Sequence, residues 1–114
     1  MDRNDFEVDV KLIIKNKKAN PHAAAMGRGI VSLCHLVDEL GSLNKAAHEM
    51  GMAYSKAWSI IKHTEASFGF QLLRRKGNQG SELTAEARQI VAIYDELQKQ
   101  LNEKADELLK SMLT

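Results

Sequence analysis

The stretch GSLNKAAHEMGMAYSKAW, residues 41–58, contains the signals of two short helices joined by a tight turn. Ser42 occupies the position of an N-cap, and apolar residues recur at i, i+3, i+4 and i+7 from Leu43 to Met50. Gly51 is expected to end the first helix, because glycine adopts the left-handed C-cap conformation without steric cost. A second apolar pattern resumes within about three residues, the spacing of a helix-turn-helix.

The second helix of this motif is predicted from about residue 54 to residue 67, and its outer face is polar and basic. The side chains expected on that outer face are Tyr54, Ser55, Lys56, Ser59, Lys62 and His63. The side chains expected in the core are Ala57, Trp58, Ile61 and Phe68. Trp58 is thus interpreted as a core residue and not as one that stacks on a base. An outer face of this composition is suited to the major groove of DNA.

Positive charge is concentrated on the helix-turn-helix and on the segment that follows it. Residues 42–80 carry six basic and two acidic side chains, net +4, whereas residues 1–41 are net 0 and residues 81–114 are net −3. The whole chain carries only +1, which argues weakly against a nucleic-acid binder. The asymmetry argues for one, because it is typical of a DNA-facing surface backed by an assembly element.

The remaining segments predict a winged helix within a single domain, residues 1–114. Residues 6–14, FEVDVKLII, alternate apolar and polar side chains and predict a strand with one wet face. A helix predicted over residues 28–40 completes a three-helix core over residues 28–68. A small hairpin, the wing, is predicted over residues 70–83. The predicted class is α+β, mostly helical: a winged helix-turn-helix with an N-terminal strand and a long C-terminal helix.

The last predicted helix, residues 84–113, is longer than the rest of a small domain can cover. Thr84 is its predicted N-cap, and one face is apolar along its length. At 1.5 Å per residue the helix spans roughly 40 Å. Such a helix implies a partner, most simply a second copy of the chain. The residues expected to mediate this homodimer are Ile90, Tyr94, Leu97, Leu101 and Leu108.

Composition and spacing exclude several classes of protein. No apolar run approaches the ~20 residues of a membrane span, and there is no signal-peptide pattern. The single cysteine, Cys34, cannot form an internal disulfide; it fits a reducing cytoplasm and is expected to be a buried thiol. The four histidines lack metal-ligand spacing, so no metal and no cofactor is expected. No nucleophile elbow or phosphate-binding glycine loop occurs, which argues against an enzyme.

The basic run Arg74, Arg75 and Lys76 lies at the base of the predicted wing. Side chains in that position can reach phosphate oxygens or the minor groove of DNA. The alternative is a solvated basic cluster without a partner. Phosphate contact is favoured because the run follows the second helix of the motif in the sequence.

The stretch from Gly41 to Tyr94 resembles the N-terminal DNA-binding domain of ModE, the molybdate-dependent transcription regulator, and more distantly the winged helix of LysR-type regulators. The matching segments are GS (41–42), KAA (45–47), GMAYSKAW (51–58), LLRR (72–75) and LTAEARQIVAIYDEL (83–97). The leading strand also resembles ModE. The pair Ala57-Trp58 after Tyr54-Ser55-Lys56 resembles ModE and not LysR-type regulators, in which Gln-Pro usually occupies this turn. With these segments, the resemblance covers residues 6–113.

The resemblance implies a homodimer that pairs through its C-terminal helix and binds a palindromic operator. It also implies DNA contacts through Tyr54, Ser55, Lys56 and Ser59, the residues that periodicity turns outward. Two departures are expected to matter. The KGNQGS turn is shorter than the family's wing turn, and the sequence ends with its long helix, without the molybdate-binding domains. Molybdate sensing is therefore not expected of this chain.

The sequence thus predicts a homodimeric regulator of transcription that binds double-stranded DNA and no membrane, with an effector that the sequence does not identify. The residues predicted to bind DNA are Ser42, Lys45, Tyr54, Ser55, Lys56, Ser59, Lys62, Arg74, Arg75 and Lys76. The alternative is a winged-helix protein-interaction module that uses its long helix to join a larger complex. Salt-dependent DNA binding distinguishes the two.

Overall fold

Four helices and one two-stranded sheet form the fold, which the computed structural model describes over residues 1–113. In chain order the elements are a 3₁₀ turn (Arg3–Asp5), α1 (Arg28–Leu40), α2 (Leu43–Glu49), α3 (Tyr54–Phe68), β1 (Leu73–Arg75), β2 (Ser81–Leu83) and α4 (Ala85–Met112). The predicted winged helix-turn-helix class, mostly helical with a hairpin wing and a long last helix, is confirmed. Thr114, the last residue of the predicted domain, lies outside the described residues.

The helix-turn-helix forms where its local signals predict it. Ser42 Oγ accepts a hydrogen bond of 3.1 Å from the Lys45 backbone N–H, which satisfies one of the free donors at the start of α2. Gly51 has a φ of 69°, in the left-handed region, and its N–H donates to the His48 carbonyl. Both predicted signals of the turn are confirmed, and α3 runs one residue further than predicted, to Phe68.

The core lies where α1, α2 and α3 meet the first turns of α4. Its buried side chains include Leu33, Val37, Ala46, Ala47, Ala57, Ile61, Leu72, Ala87 and Val91. Cys34 is fully buried among them, and burial raises the pKa of its thiol to about 12 because the thiolate would lose its water shell. The prediction of a buried thiol is confirmed, and a thiol so far from ionisation is chemically inert.

The wing is hydrogen-bonded to the turn between α1 and α2. β1 and β2 pair antiparallel, with Leu73 opposite Leu83 and Arg75 opposite Ser81. The Ser81 N–H also donates to the Gly41 carbonyl at 2.9 Å. This contact positions the second strand beside the start of α2, so the wing lies next to the helix-turn-helix.

The first wing strand begins three residues later than predicted. The Leu72 N–H donates to the Glu65 carboxylate at 2.7 Å, and the Thr84 hydroxyl donates to the Gln71 carbonyl at 2.6 Å. Side chains therefore satisfy the backbone groups that precede Leu73, and strand pairing is not needed there.

The strand predicted over residues 6–14 is wrong. Residues 6–13 are extended but pair with no strand, and a single antiparallel bridge joins Ile14 to Met26. The predicted alternation is nevertheless present, because Val8, Val10 and Leu12 are half-buried while the polar residues between them are exposed.

Helix α4 takes the role that a partner strand would have. The Val10 N–H donates to Asn102 Oδ1 at 2.8 Å, and Gln98 Nε2 donates to the Val10 carbonyl at 2.7 Å. The Tyr94 hydroxyl donates to the Leu12 carbonyl at 2.8 Å. Side-chain amides on one helix face thus satisfy an extended backbone, which explains why an alternating pattern occurs here without a sheet.

An ion pair binds the same N-terminal segment to α1. The two Nη atoms of Arg28 donate to the Asp9 carboxylate at 2.9 and 3.0 Å. These bonds hold the pKa of Asp9 below its usual range and raise the pKa of Arg28. The segment is therefore bound to α1 at one residue and to α4 at several.

Helix α4 extends well beyond the core. Thr84 caps its start as predicted, with Thr84 Oγ1 accepting from the Ala87 N–H at 3.1 Å. The longest dimension of the fold is 58 Å against 32 and 24 Å for the other two. At 1.5 Å per residue, the 28 residues of α4 span about 42 Å of it.

The approach of the wing to the α1–α2 turn predicts a specific intolerance at Gly80. Its φ is 108°, and an added Cβ would collide with the Gly41 carbonyl oxygen. Gly77, also at positive φ (58°), has open space around it. Gly80→Ala should therefore lower the free energy of unfolding by more than Gly77→Ala, for which a left-handed alanine costs about 1–2 kcal/mol. Urea unfolding at one fixed protein concentration measures both, and equal losses would contradict the contact.

Candidate nucleic-acid interface

The first two turns of α3 present the predicted outward side chains to solvent. Ser55 and Lys56 are exposed, and Tyr54 is 50% exposed. Ser59 is half-buried, with its hydroxyl 3.4 Å from His63 Nδ1. The predicted orientation of this face is confirmed, and it combines hydroxyl, phenol and ammonium groups within one helix end.

Trp58 does not lie in the core, and its predicted burial is wrong. The indole is 48% exposed. Ala57, Ile61 and Thr64 occupy the buried stripe of α3 instead, and Trp58 lies about 100° around the helix from Ala57. The spacing of Ala57, Ile61 and Thr64 predicts a buried stripe that excludes Trp58. The sequence interpretation placed Trp58 in the core because tryptophan is large and hydrophobic.

The exposed indole lies on the side of α3 that faces the wing. Trp58 lines a cleft together with Leu73 and Arg74 of β1. The Nζ atom of Lys62 lies 5.4 Å from the centroid of the indole ring, within the range of a cation–π contact. Trp58 therefore joins the predicted polar residues on the exposed surface of α3.

The two wing arginines differ in their electrostatic environment. Arg74 Nε forms an ion pair of 2.8 Å with Glu82 on the opposite strand. Arg75 makes no ion pair with any residue of the described range, and it lines a cleft with Ser42 and Tyr54. Of the two wing arginines, Arg75 is thus the one that lies beside the helix-turn-helix and has no acidic partner within the described residues.

The other predicted basic residues divide in the same way. Lys62 Nζ lies 3.1 Å from Glu65 Oε1. Lys45 and Lys76 are exposed, and within residues 1–113 neither they nor Lys56 form an ion pair. Asn44 and Asn78, which the sequence analysis did not single out, line the cleft between α2 and the wing turn. Of the predicted residues, those that line the two clefts between the helix-turn-helix and the wing are Ser42, Tyr54, Lys62, Arg74 and Arg75. Those that line neither cleft are Lys45, Ser55, Lys56, Ser59 and Lys76.

The family follows from the sequence of this region. The sequence model described as bacterial regulatory helix-turn-helix protein, lysR family, matches residues 31–88, slightly more than half of the chain. The chain belongs to this family. It is accordingly a DNA-binding regulator of transcription, and the distant resemblance to LysR-type regulators is confirmed.

A solved structure shows the same fold. The CbnR_DBD–DNA complex matches with a TM-score of 0.59 and 20% identity, over 74% of this chain and 95% of that chain. No curated protein matches the chain. The lysR-family match spans α1 to the start of α4, so the N-terminal segment and most of α4 lie outside it.

Among residues 1–113, no group of three or more histidine, cysteine or acidic side chains is arranged to hold a metal ion. None of the helices in that range has both the length and the apolar character needed to cross a membrane.

The exposure of Trp58 predicts that its removal leaves the fold nearly intact. Trp58→Ala should lower the free energy of unfolding by about 1–2 kcal/mol, because the indole is 48% exposed and only its covered part is lost from packing. Ile61→Ala, at a buried position of the same helix, should cost about 2–5 kcal/mol. Urea unfolding of both variants tests this. A loss of about 3 kcal/mol or more in the free energy of unfolding for Trp58→Ala would indicate that the indole is buried in the core.

Proposed function

We propose that this lysR-family chain is a homodimeric regulator that binds a specific palindromic operator in double-stranded DNA. One observation carries the proposal: α3 exposes Tyr54, Ser55 and Lys56 at its N-terminal end, beside a wing whose Arg75 has no acidic partner within residues 1–113. The N-terminal residues of a recognition helix are those that meet base edges in the major groove. The DNA in the CbnR_DBD–DNA complex adds support from a protein of the same fold.

Base contacts are assigned to the N-terminal half of α3. Lys56 can donate to guanine O6 or N7, the hydroxyls of Ser55 and Ser59 can donate or accept, and Tyr54 can do both. The exposed indole of Trp58 adds an apolar surface on the wing side, which suits a thymine methyl group or a deoxyribose.

Phosphate contacts are assigned to the basic residues that surround this face. Lys45, Arg75 and Lys76 make no ion pair within residues 1–113 and are expected to contribute most. Lys62 and Arg74 already have acidic partners, so phosphate binding must compete with Glu65 and Glu82. Ser42, whose Oγ accepts from Lys45 N–H, retains its own hydroxyl proton for a phosphate oxygen.

Within the LysR family, we place the chain with the ModE type. The GMAYSKAW segment, with Ala57-Trp58 after Tyr54-Ser55-Lys56, resembles ModE, whereas LysR-type regulators usually have Gln-Pro in this turn. The sequence of the leading segment, residues 6–14, also resembles ModE, although the segment forms no strand. The effector is a separate question, and molybdate is one ligand to test.

The homodimer is proposed to form through the exposed stripe of α4. This stripe consists of Ile93, Leu97, Leu101, Leu108 and Met112, whereas Ile90, also predicted in the interface, is half-buried against the core. Leu97, Leu101 and Leu108 are each about 40% exposed, an apolar surface that no residue in the described range covers. Tyr94 is removed from the predicted set, because it is 3% exposed and its hydroxyl is bonded to Leu12. To bind successive major grooves, the two recognition helices of this dimer must lie about 34 Å apart.

Selection of bound sequences from a random DNA pool tests the proposed function directly. A palindromic consensus with half-sites about one helical turn apart is expected. Affinity should fall steeply with salt because bound lysines and arginines release counterions from the duplex. A pool that yields no enriched sequence would favour the protein-interaction module instead.

The proposed dimer predicts that charge on the α4 stripe separates the protomers. Leu101→Lys with Leu108→Lys would bury two ammonium groups in the interface, at a cost of several kcal/mol. Sedimentation should then detect monomer. The control is Ala85→Lys with Ala92→Lys, which adds the same charge at exposed positions on the opposite face of α4. A stripe variant that remains dimeric would place the interface elsewhere.

The proposed base contact of Lys56 predicts a change in sequence preference. Lys56→Ala should relax preference at one symmetric pair of operator positions, since a well-aligned contact is worth about 1–3 kcal/mol of discrimination. Lys45→Ala, on α2, should lower affinity for all sequences alike. The base preferences of the two variants are compared at one salt concentration. If Lys56→Ala keeps the base preferences of the wild type, Lys56 contacts a phosphate and not a base.

A further inference from the structure

Hydrogen bonds within the loop over residues 15–25 restrict its conformation. The Ile14–Met26 bridge closes its base with two hydrogen bonds of 2.8 Å. Two turns follow each other within it, in which the side-chain oxygens of Asn16 and Asn20 accept backbone N–H groups at 3.0 and 2.9 Å. Such asparagine turns limit the conformations of a loop, so its side chains are held in a restricted region.

This loop is strongly basic. Lys15, Lys17 and Lys18 are exposed, and residues 15–27 contain no acidic side chain. None of the three ammonium groups forms an ion pair within the described residues, whereas the lysines and arginines of α1, α3, β1 and α4 largely do. Three like charges held together without acidic neighbours require either solvent or an anionic partner.

The loop lies against the C-terminal half of α3. Asn16 Nδ2 donates to the Ser67 carbonyl at 2.9 Å, one of the carbonyls that the last turn of a helix leaves free. His22 of the loop lines a cleft with His63 and Ala66, which lie on the exposed face of α3. The same asparagine therefore shapes the lysine turn and joins it to the recognition helix.

The wing contacts the other side of α3. Trp58 and Lys62 line the cleft with the wing, whereas His63, Ala66 and Ser67 line the cleft with the loop. With about 100° between successive residues, the outward stripe through Ser55, Ser59 and Ala66 lies between these two sides.

The geometry points to the lysine loop, residues 15–25, as a second element that contacts the DNA backbone, on the side of the recognition helix opposite the wing. This inference rests on the proposed DNA binding. Its partner is the phosphate backbone, because a loop with three free ammonium groups and no acidic neighbour binds anionic charge without reading bases. The family match begins at residue 31, so it contributes nothing to this assignment.

Salt-dependent DNA binding tests the loop. Lys17→Gln with Lys18→Gln should make the slope of log affinity against log salt shallower by about 2–4 units, at roughly 0.9 per lost phosphate contact, because the proposed dimer carries two such loops. The control, Lys99→Gln with Lys104→Gln on α4, removes the same charge from a distant face and should leave the slope unchanged. Lys17→Arg with Lys18→Arg keeps the charge and should keep the wild-type slope.

Hydroxyl-radical footprinting locates the lost contact. The loop variant should lose protection on one flank of each half-site, and Arg75→Gln should lose it on the other flank. A slope equal to that of the wild type would overturn the inference. So would a loss of thermal stability without a change of slope, because the lysines would then only stabilise the C-terminal end of α3. If the wild type binds no DNA, the proposed function itself fails, which is a different result from a wild-type slope in the variant.

Discussion

The carboxylate of Glu65 joins the recognition helix to the wing, and the arrangement of the DNA-facing surface depends on it. Its Oε2 accepts from the Leu72 N–H at 2.7 Å and lies 3.4 Å from the Leu73 N–H, while its Oε1 pairs with Lys62. The side chain is only 10% exposed, and a carboxylate so buried is stable only when its oxygens are satisfied. Because those donors are the backbone groups that lead into β1, the orientation of the wing follows from that of α3.

The same carboxylate also sets the charge of the surface. Glu65 pairs with Lys62, a charge that the net +4 of residues 42–80 already subtracts. Glu82 lies just outside that range and pairs with Arg74, so +4 overstates the charge available to a phosphate group by this one pair. The lysine loop partly replaces that charge on the opposite side of α3. A recognition helix with basic groups on both sides can be held by both strands of a major groove, whereas a wing alone contacts one side.

The sequence predicted the elements whose signals are local. Ser42 and Gly51 bound a helix and a turn through their own backbone preferences, and no distant residue can override them cheaply. The N-terminal strand failed for the opposite reason. Alternation over residues 6–14 predicts which side chains face inward, but only the tertiary structure determines what satisfies the backbone, here Asn102 and Gln98 of α4. Helical spacing alone predicts that Trp58 lies off the buried stripe of α3, but its hydrophobicity led to the prediction that it is buried.

The N-terminal segment explains why only one stripe of α4 remains open. Beyond the core, no other α-helix lies beside α4 within residues 1–113, and the amides of Gln98 and Asn102 bond to the extended segment instead. The extended segment supplies this partner and covers that face. The apolar stripe lies on the adjacent face, which the segment does not cover. The extended segment thus leaves the apolar face of α4 open for the proposed second copy, and through Asn16 it also holds the lysine loop against α3.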